Sequence, residues 1–191
     1  LKLIAHTGGS VAGIVSEAFF DRGLRVISGN WLYAESVAEG TIAYILASLR
    51  NIPHYNSLVH AGGWRDAAAS NEGLLDQTVG LVEFGMVAKN LAMMFKPFRV
   101  RLKVYSRFAD AATLREYGAE PAELEEIFTT CKIISVHAAL TPETRHMIDR
   151  RLLRMIPEGA VLINTARGGV IDEQALADEL ATGRFKAVLD V

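Results

Sequence analysis

A single cysteine, Cys131, stands in 191 residues, so no internal disulfide is possible. It opens the apolar run 132–136 and is read as a buried, inert thiol, which suits a reducing cytoplasm. Positive charge is not in excess: 20 lysines and arginines face 22 aspartates and glutamates, and no basic block stands out. A nucleic-acid partner needs a basic footprint, so that class is excluded. Long apolar runs are missing too. Apolar stretches such as those at 42–46 and 160–163 fall far short of the roughly 20 residues that span a bilayer, and the amino terminus has no signal-like composition. The chain is therefore read as soluble, without a membrane partner. His6, His54, His60 and His146 fall in no ligand spacing, so no metal site is expected. The absence of a G-x-S-x-G elbow disfavours a Ser-His-Asp hydrolase. Methionine is absent from position 1, and the chain runs from the apolar Leu3-Ile4-Ala5 to another apolar stretch at 187–191. Domains seldom begin and end in mid-strand, so both termini are read as cuts.

What is present is an apolar half, 50% of all residues, enough for one full core. From residue 78 onward short apolar runs alternate with segments of helical period. Strands are predicted at 78–84, 100–105, 132–137, 160–164 and from 185. Helices are predicted at 86–95, 111–117 (stopped by Gly118), 121–130 and near 150–155, with a further one capped by Asp172 and ending at Gly183. Thr141 can cap a helical turn that has Pro142 at its first position. Near-continuous apolar strands separated by helices imply an α/β fold with a doubly wound parallel sheet covered on both faces. The first 77 residues are less regular: strands at 1–5 and 24–28 flank a helix at 11–20, and a longer helix spans 36–49, with Gly62-Gly63 ending its extension. A boundary near residue 29 separates the remnant of a smaller domain, 1–28, from a main domain, 29–191.

Three places carry candidate chemistry. The stretch from Gly80 to Ala88 joins a strand to a helix, where a Rossmann-type dinucleotide fold uses G-x-G-x-x-G/A for a tight turn and close backbone approach to pyrophosphate. Glu83 takes the place of the first glycine, Gly85 fills the second, and Ala88 is an accepted third. At the end of the next strand Ser106 replaces the acid that grips the adenosine ribose, and Arg107 follows it. A guanidinium can pair with a 2'-phosphate, so this corner favours NADP(H) over NAD(H). Third, Arg167 lies between small residues at the carboxyl end of a parallel strand, placed to meet a substrate carboxylate or carbonyl oxygen. His137 also ends a strand on the ligand side. The alternatives at the three places are an ordinary buried strand-turn-helix, a solvated loop charge and a surface arginine.

Together these segments resemble the D-isomer-specific 2-hydroxyacid dehydrogenase family over nearly the whole chain. The stretches that carry the resemblance are Ser36 to Thr41, Gly62-Gly63-Trp64, Gln77 to Val82, His137 to Thr144 and Ile163 to Asp172. The family implies a Rossmann-type NAD(P)-binding domain beside a smaller flavodoxin-like substrate domain, and reduction of a small 2-keto acid by hydride from the cofactor. It implies that Arg167 binds the substrate carboxylate and carbonyl, that Gly9 and Ser10 belong to a substrate-carboxylate loop, and that Gly85, Met86 and Val87 form the pyrophosphate turn. His137, Ala138, Thr165 and Ala166 would border the nicotinamide, with Asp190 beside its amide. Relatives pair through the cofactor domain, so a homodimer is implied, with residues 37–49 as a candidate contact. The family's catalytic glutamate and histidine are expected beyond Val191, so these 191 residues are not expected to turn over substrate.

Several positions depart from the family. Tyr33 and Gly40 stand where many relatives have asparagine and histidine. A left-handed backbone at Glu83 would cost about 1 to 2 kcal/mol. Its carboxylate is expected to weaken dinucleotide binding, by lying in the anion site at the helix amino terminus. Glu83 thereby favours the main alternative, a non-catalytic nucleotide-binding or co-repressor-like module on the same fold. A hydrolase of the adenosylhomocysteine type is a more distant one.

Overall fold

A computed structural model describes residues 1–66 and 71–191. The main body is a six-stranded, wholly parallel sheet in the order β5-β4-β3-β6-β7-β8. Its strands are β3 (Thr78–Val82), β4 (Arg101–Tyr105), β5 (Ala119–Pro121), β6 (Ile133–Val136), β7 (Val161–Asn164) and β8 (Lys186–Leu189). The strand order reverses between β3 and β6, and there an open parallel sheet offers a crevice at its carboxyl edge. The central strands β6 and β7 are buried at every position, as strands covered on both faces must be.

Two helical layers cover the sheet. On one face lie α2 (Asn30–Leu49) and α4 (Met86–Phe95), packed on alternate residues such as Leu81, Ile133 and Ile163. On the other lie α6 (Leu124–Thr130), α7 (Arg150–Met155) and α8 (Glu173–Leu180), packed on Val82, Ile134 and Leu162. The even spacing along each strand sends neighbouring side chains to opposite faces. In α2 the buried positions Ala34, Ala38, Thr41, Ile45 and Leu49 recur every three or four residues, which makes one inward stripe. Gly80 sits where β3 and α6 approach most closely: a Cβ there would run into Ile127 and Cys131. Asp110, Asp149 and Asp172 accept from the backbone amides of Thr113, Leu152 and Ala175 at 2.8, 2.9 and 3.0 Å, and so start α5 (Ala111–Glu116), α7 and α8.

Residues 1–28 form a separate element: β1 (Leu3–His6) and β2 (Arg25–Ser28) make a two-stranded parallel sheet, with α1 (Glu17–Asp21) between them. None of these residues is buried.

Several expectations are corrected. The helix predicted at 11–20 shrinks to α1, because residues 11–15 close into turns, with Ile14 and Val15 donating to the Val11 carbonyl at 2.9 and 3.2 Å. The long helix starts at Asn30 rather than residue 36, and a left-handed Asn51 (φ 51°) breaks it from α3 (Ile52–His60). Residues 119–121 are an edge strand, a location that tolerates Pro121, so α6 begins at Leu124. The strand predicted to reach residue 84 stops at Val82, since Glu83 turns left-handed with φ 69°. The last helix ends at Leu180, ahead of the left-handed Gly183. No helix among the described residues is long and apolar enough to cross a membrane.

Candidate active site

The carboxyl ends of β3, β6 and β7 open onto a cleft of about 690 Å³. The turn after β3 contributes Gly85, Met86 and Val87, β6 runs into His137 and Ala138, and the loop after β7 contributes Thr165, Ala166 and Arg167. The opposite wall is Gly9 and Ser10 from the small element together with Asn30, Tyr33, Ala34 and Val37 from the first two turns of α2. The structure thus gathers ten of the residues expected to bind substrate or cofactor around one space. Asn30 lies among them without having been singled out. Its side-chain Oδ1 comes within 3.1 Å of where a Cβ on Gly9 would sit.

The turn after β3 is held on both sides. His137 donates its backbone amide to the Val82 carbonyl at 2.9 Å, and Glu83 donates to the Tyr105 carbonyl at 2.7 Å. Gly85 caps α4 in an extended conformation that any residue could adopt (φ −80°, ψ −167°), and a Cβ on it would touch nothing within 4 Å. The open space above this glycine, facing the amino terminus of α4, fits a pyrophosphate.

Ser106 and Arg107 lie outside the cleft lining, at the end of β4. The Glu83 side chain reaches them. Arg107 Nε donates to Glu83 Oε1 at 2.6 Å, Ser106 Oγ to Oε2 at 3.3 Å, and the Arg107 amide to Oε2 at 3.4 Å. The Glu83 side chain is only 8% accessible and that of Arg107 31%. The bond to Glu83 raises the pKa of a guanidinium that is already permanently charged. The carboxylate therefore does not occupy the anion site at the start of α4, as the sequence had led us to expect. It lies at the neighbouring strand's end.

His137 is partly buried, and its Nε2 is shut from solvent with no hydrogen-bond partner. Desolvation lowers its pKa to about 4, so the ring is neutral near pH 7. A neutral imidazole with an unused nitrogen, beside the cleft, fits a polar group of a ligand better than a closed core.

The loop after β7 is organised by Asn164, fully buried and not assigned a role by its sequence pattern. Its Nδ2 donates to the Arg167 carbonyl at 3.0 Å and its Oδ1 accepts from the Ala166 amide at 3.0 Å. Arg167 is exposed, with Nη1 donating to the Ala166 carbonyl at 2.5 Å. Thr165 Oγ1 lies 3.4 Å from Thr41 Oγ1, which also donates to the Val37 carbonyl at 2.8 Å, so α2 and this loop are joined where both line the cleft. Asp190 is exposed and outside the lining. Its amide donates to the Asn164 carbonyl at 2.9 Å. Among the described residues no group of three or more His, Cys, Asp or Glu could hold a metal ion.

The family description "D-isomer specific 2-hydroxyacid dehydrogenase, NAD binding domain" matches residues 42–191. The chain is 32% identical to a hydroxypyruvate reductase of Thermotoga maritima over 192 aligned positions, covering 100% of this chain and 62% of that protein. It is 31% identical to a D-3-phosphoglycerate dehydrogenase of Mycobacterium bovis, again over all of this chain but only 36% of the relative. A solved glyoxylate reductase from Paecilomyes thermophila superposes with a TM-score of 0.88 at 26% identity, covering 100% of this chain and 58% of that one. The chain thus spans between roughly a third and two thirds of these relatives' lengths. With the reversal in strand order, the open glycine turn and the arginine loop all on one cleft, this chain belongs to the D-isomer specific 2-hydroxyacid dehydrogenase family.

Proposed function

We propose that the chain is the dinucleotide-binding core of an oxidoreductase that moves hydride between a nicotinamide dinucleotide and a small 2-keto or 2-hydroxy acid. The observation that carries this reading is the convergence of the Gly85 turn and Arg167 on one cleft. Gly85, Met86 and Val87 hold the pyrophosphate on backbone amides. His137, Ala138, Thr165 and Ala166 border the nicotinamide, and Asp190 lies toward its amide. Arg167, always charged and with donors beyond the Nη1 that meets the Ala166 carbonyl, binds the substrate's carboxylate and carbonyl oxygen, while Gly9 and Ser10 close on the carboxylate from the opposite wall. The cofactor supplies the hydride.

Residues 1–28 belong to the substrate domain and 29–191 to the cofactor domain in this reading. The protein works in the cytoplasm as a homodimer. The inward stripe of α2 is already covered by α4, β7 and β8, so a second copy would meet its outer face, where Trp31 and Leu32 are 67% and 57% exposed. In this reading the 191 residues bind ligand without appreciable turnover. The preference for NADP(H) read from Ser106 and Arg107 requires a guanidinium free to take the phosphate, and Glu83 bears directly on that.

Titration with NADH by fluorescence, followed by oxalate as a 2-keto acid mimic, tests the proposal. Arg167→Leu should leave NADH affinity within about twofold and weaken oxalate binding about a hundredfold, the worth of a lost charge-assisted fork. A non-catalytic nucleotide-binding module, the reading that the charged and strained Glu83 favours, predicts NADH binding with no oxalate response in either protein.

A further inference from the structure

The acid that grips the adenosine ribose in a dinucleotide fold ordinarily projects from the end of the second strand of the unit, which here is Ser106. A carboxylate is nevertheless present at that corner. It comes from the adjacent strand: Glu83, at the first-glycine position of β3's turn, lies against Ser106 Oγ at 3.3 Å and the Arg107 amide at 3.4 Å. We propose that Glu83 is the ribose-binding residue of this chain and that it selects NAD(H) over NADP(H). This reverses the preference suggested by Ser106 and Arg107 alone, and it rests on the reading of the cleft as a dinucleotide site.

Geometry and charge both support the assignment. Glu83 is tied at both ends to one tripeptide, by its backbone amide to the Tyr105 carbonyl at 2.7 Å and by its carboxylate to Ser106 and Arg107. That double attachment holds a non-glycine residue at φ 69°, a conformation costing about 1 to 2 kcal/mol that persists only where surroundings over-determine it. The side chain cannot swing back toward the start of α4 without losing all three of its contacts, so the pyrophosphate site stays clear. The carboxylate is only 8% accessible and already accepts three donors, so ribose hydroxyls can reach it by replacing its two longer contacts, Ser106 Oγ at 3.3 Å and the Arg107 amide at 3.4 Å, with donors of the same kind. A 2'-phosphate cannot. It would bring roughly two negative charges against a carboxylate that is almost fully buried, and it would compete for the Nε that Glu83 already holds at 2.6 Å.

Direct binding, rather than turnover, is the readout: calorimetric or fluorescence titration of the chain with NADH and NADPH, with circular dichroism confirming that each variant is folded. The wild-type chain should bind NADH at least about tenfold more tightly than NADPH, and Glu83→Gln, which keeps the shape and removes the charge, should cut that ratio by about tenfold or invert it. Glu83→Gly should release Arg107 and raise NADPH affinity further, and adding Arg107→Leu to it should abolish the gain. Equal or tighter NADPH binding by the wild-type chain, or a ratio unmoved by Glu83→Gln, overturns the assignment while leaving the dinucleotide site intact. If no folded variant binds either cofactor, the functional reading itself fails and this assignment falls with it.

Discussion

The loop after β3 and the loop after β7 leave the same edge of the same sheet, and they are fixed by opposite means. The first is held by a charged pair, Glu83 with Arg107, over a left-handed non-glycine residue. The second is held by a neutral side chain, Asn164, whose amide satisfies a donor and an acceptor of its own loop from a fully buried position. The guanidinium of that pair is partly exposed although its carboxylate is buried, so salt and a competing charge can still reach it from the Arg107 side. The buried amide serves an acceptor and a donor at once, so its loss takes away the partner of the Ala166 amide and weakens the hold on the Arg167 carbonyl. The first loop fixes a charged pair at the end of β4, and the second presents Arg167 to the cleft.

The largest effect should come from the neutral loop. Asn164→Ala strips the Ala166 amide of its partner and leaves the Arg167 carbonyl with only the Val170 amide at 3.3 Å, and a loss of about 3 kcal/mol in unfolding free energy is expected by denaturant titration. A loss below about 1 kcal/mol would mean that the loop holds itself, and the comparison would collapse. His137, on the strand between the two loops, extends the comparison to pH. Its pKa is about 4 folded against an ordinary value of 6.5, so between those limits the unfolded chain takes up a proton that the folded chain refuses. Its stabilising contribution is complete above pH 6.5 and declines as pH falls to 4, by about 3 kcal/mol. In His137→Gln the stability-pH curve should lose that part of its slope, and an unchanged curve would assign the slope to other groups. The smallest effect belongs to the charged loop. Glu83→Gly relieves the left-handed strain but removes a partly screened ion pair, so stability should move by no more than about 1 kcal/mol in either direction. Destabilisation well beyond that would show the pair to be structural rather than selective.

Much of the frame was legible because it is local. Short apolar runs marked β3, β6, β7 and β8, alternation marked β4, and the bounds of α4 and α7 follow from helical periodicity. The three residues of β5 are too few and too polar to announce a strand, and α1 failed where turns at 11–15 took over a helical pattern. The site divides in the same way. Gly85 and Arg167 sit in motifs, and the structure brings them to one cleft. The pairing of Glu83 with Arg107 is set by the register that places Val82 beside Tyr105, a relation between strands that no local pattern encodes. Asn164 was visible as a residue but not as a brace, because its partners depend on how the following loop folds back.

Two glycines five positions apart stand under different steric constraints. A side chain at Gly80 would collide with Ile127 and Cys131, whereas one at Gly85 would meet nothing, in a backbone conformation open to every residue. Among descendants selected only for folding, position 80 would stay fixed and position 85 would drift. The glycine at position 85 is therefore not required by the packing of this fold, and any demand for it must come from outside the chain's own structure.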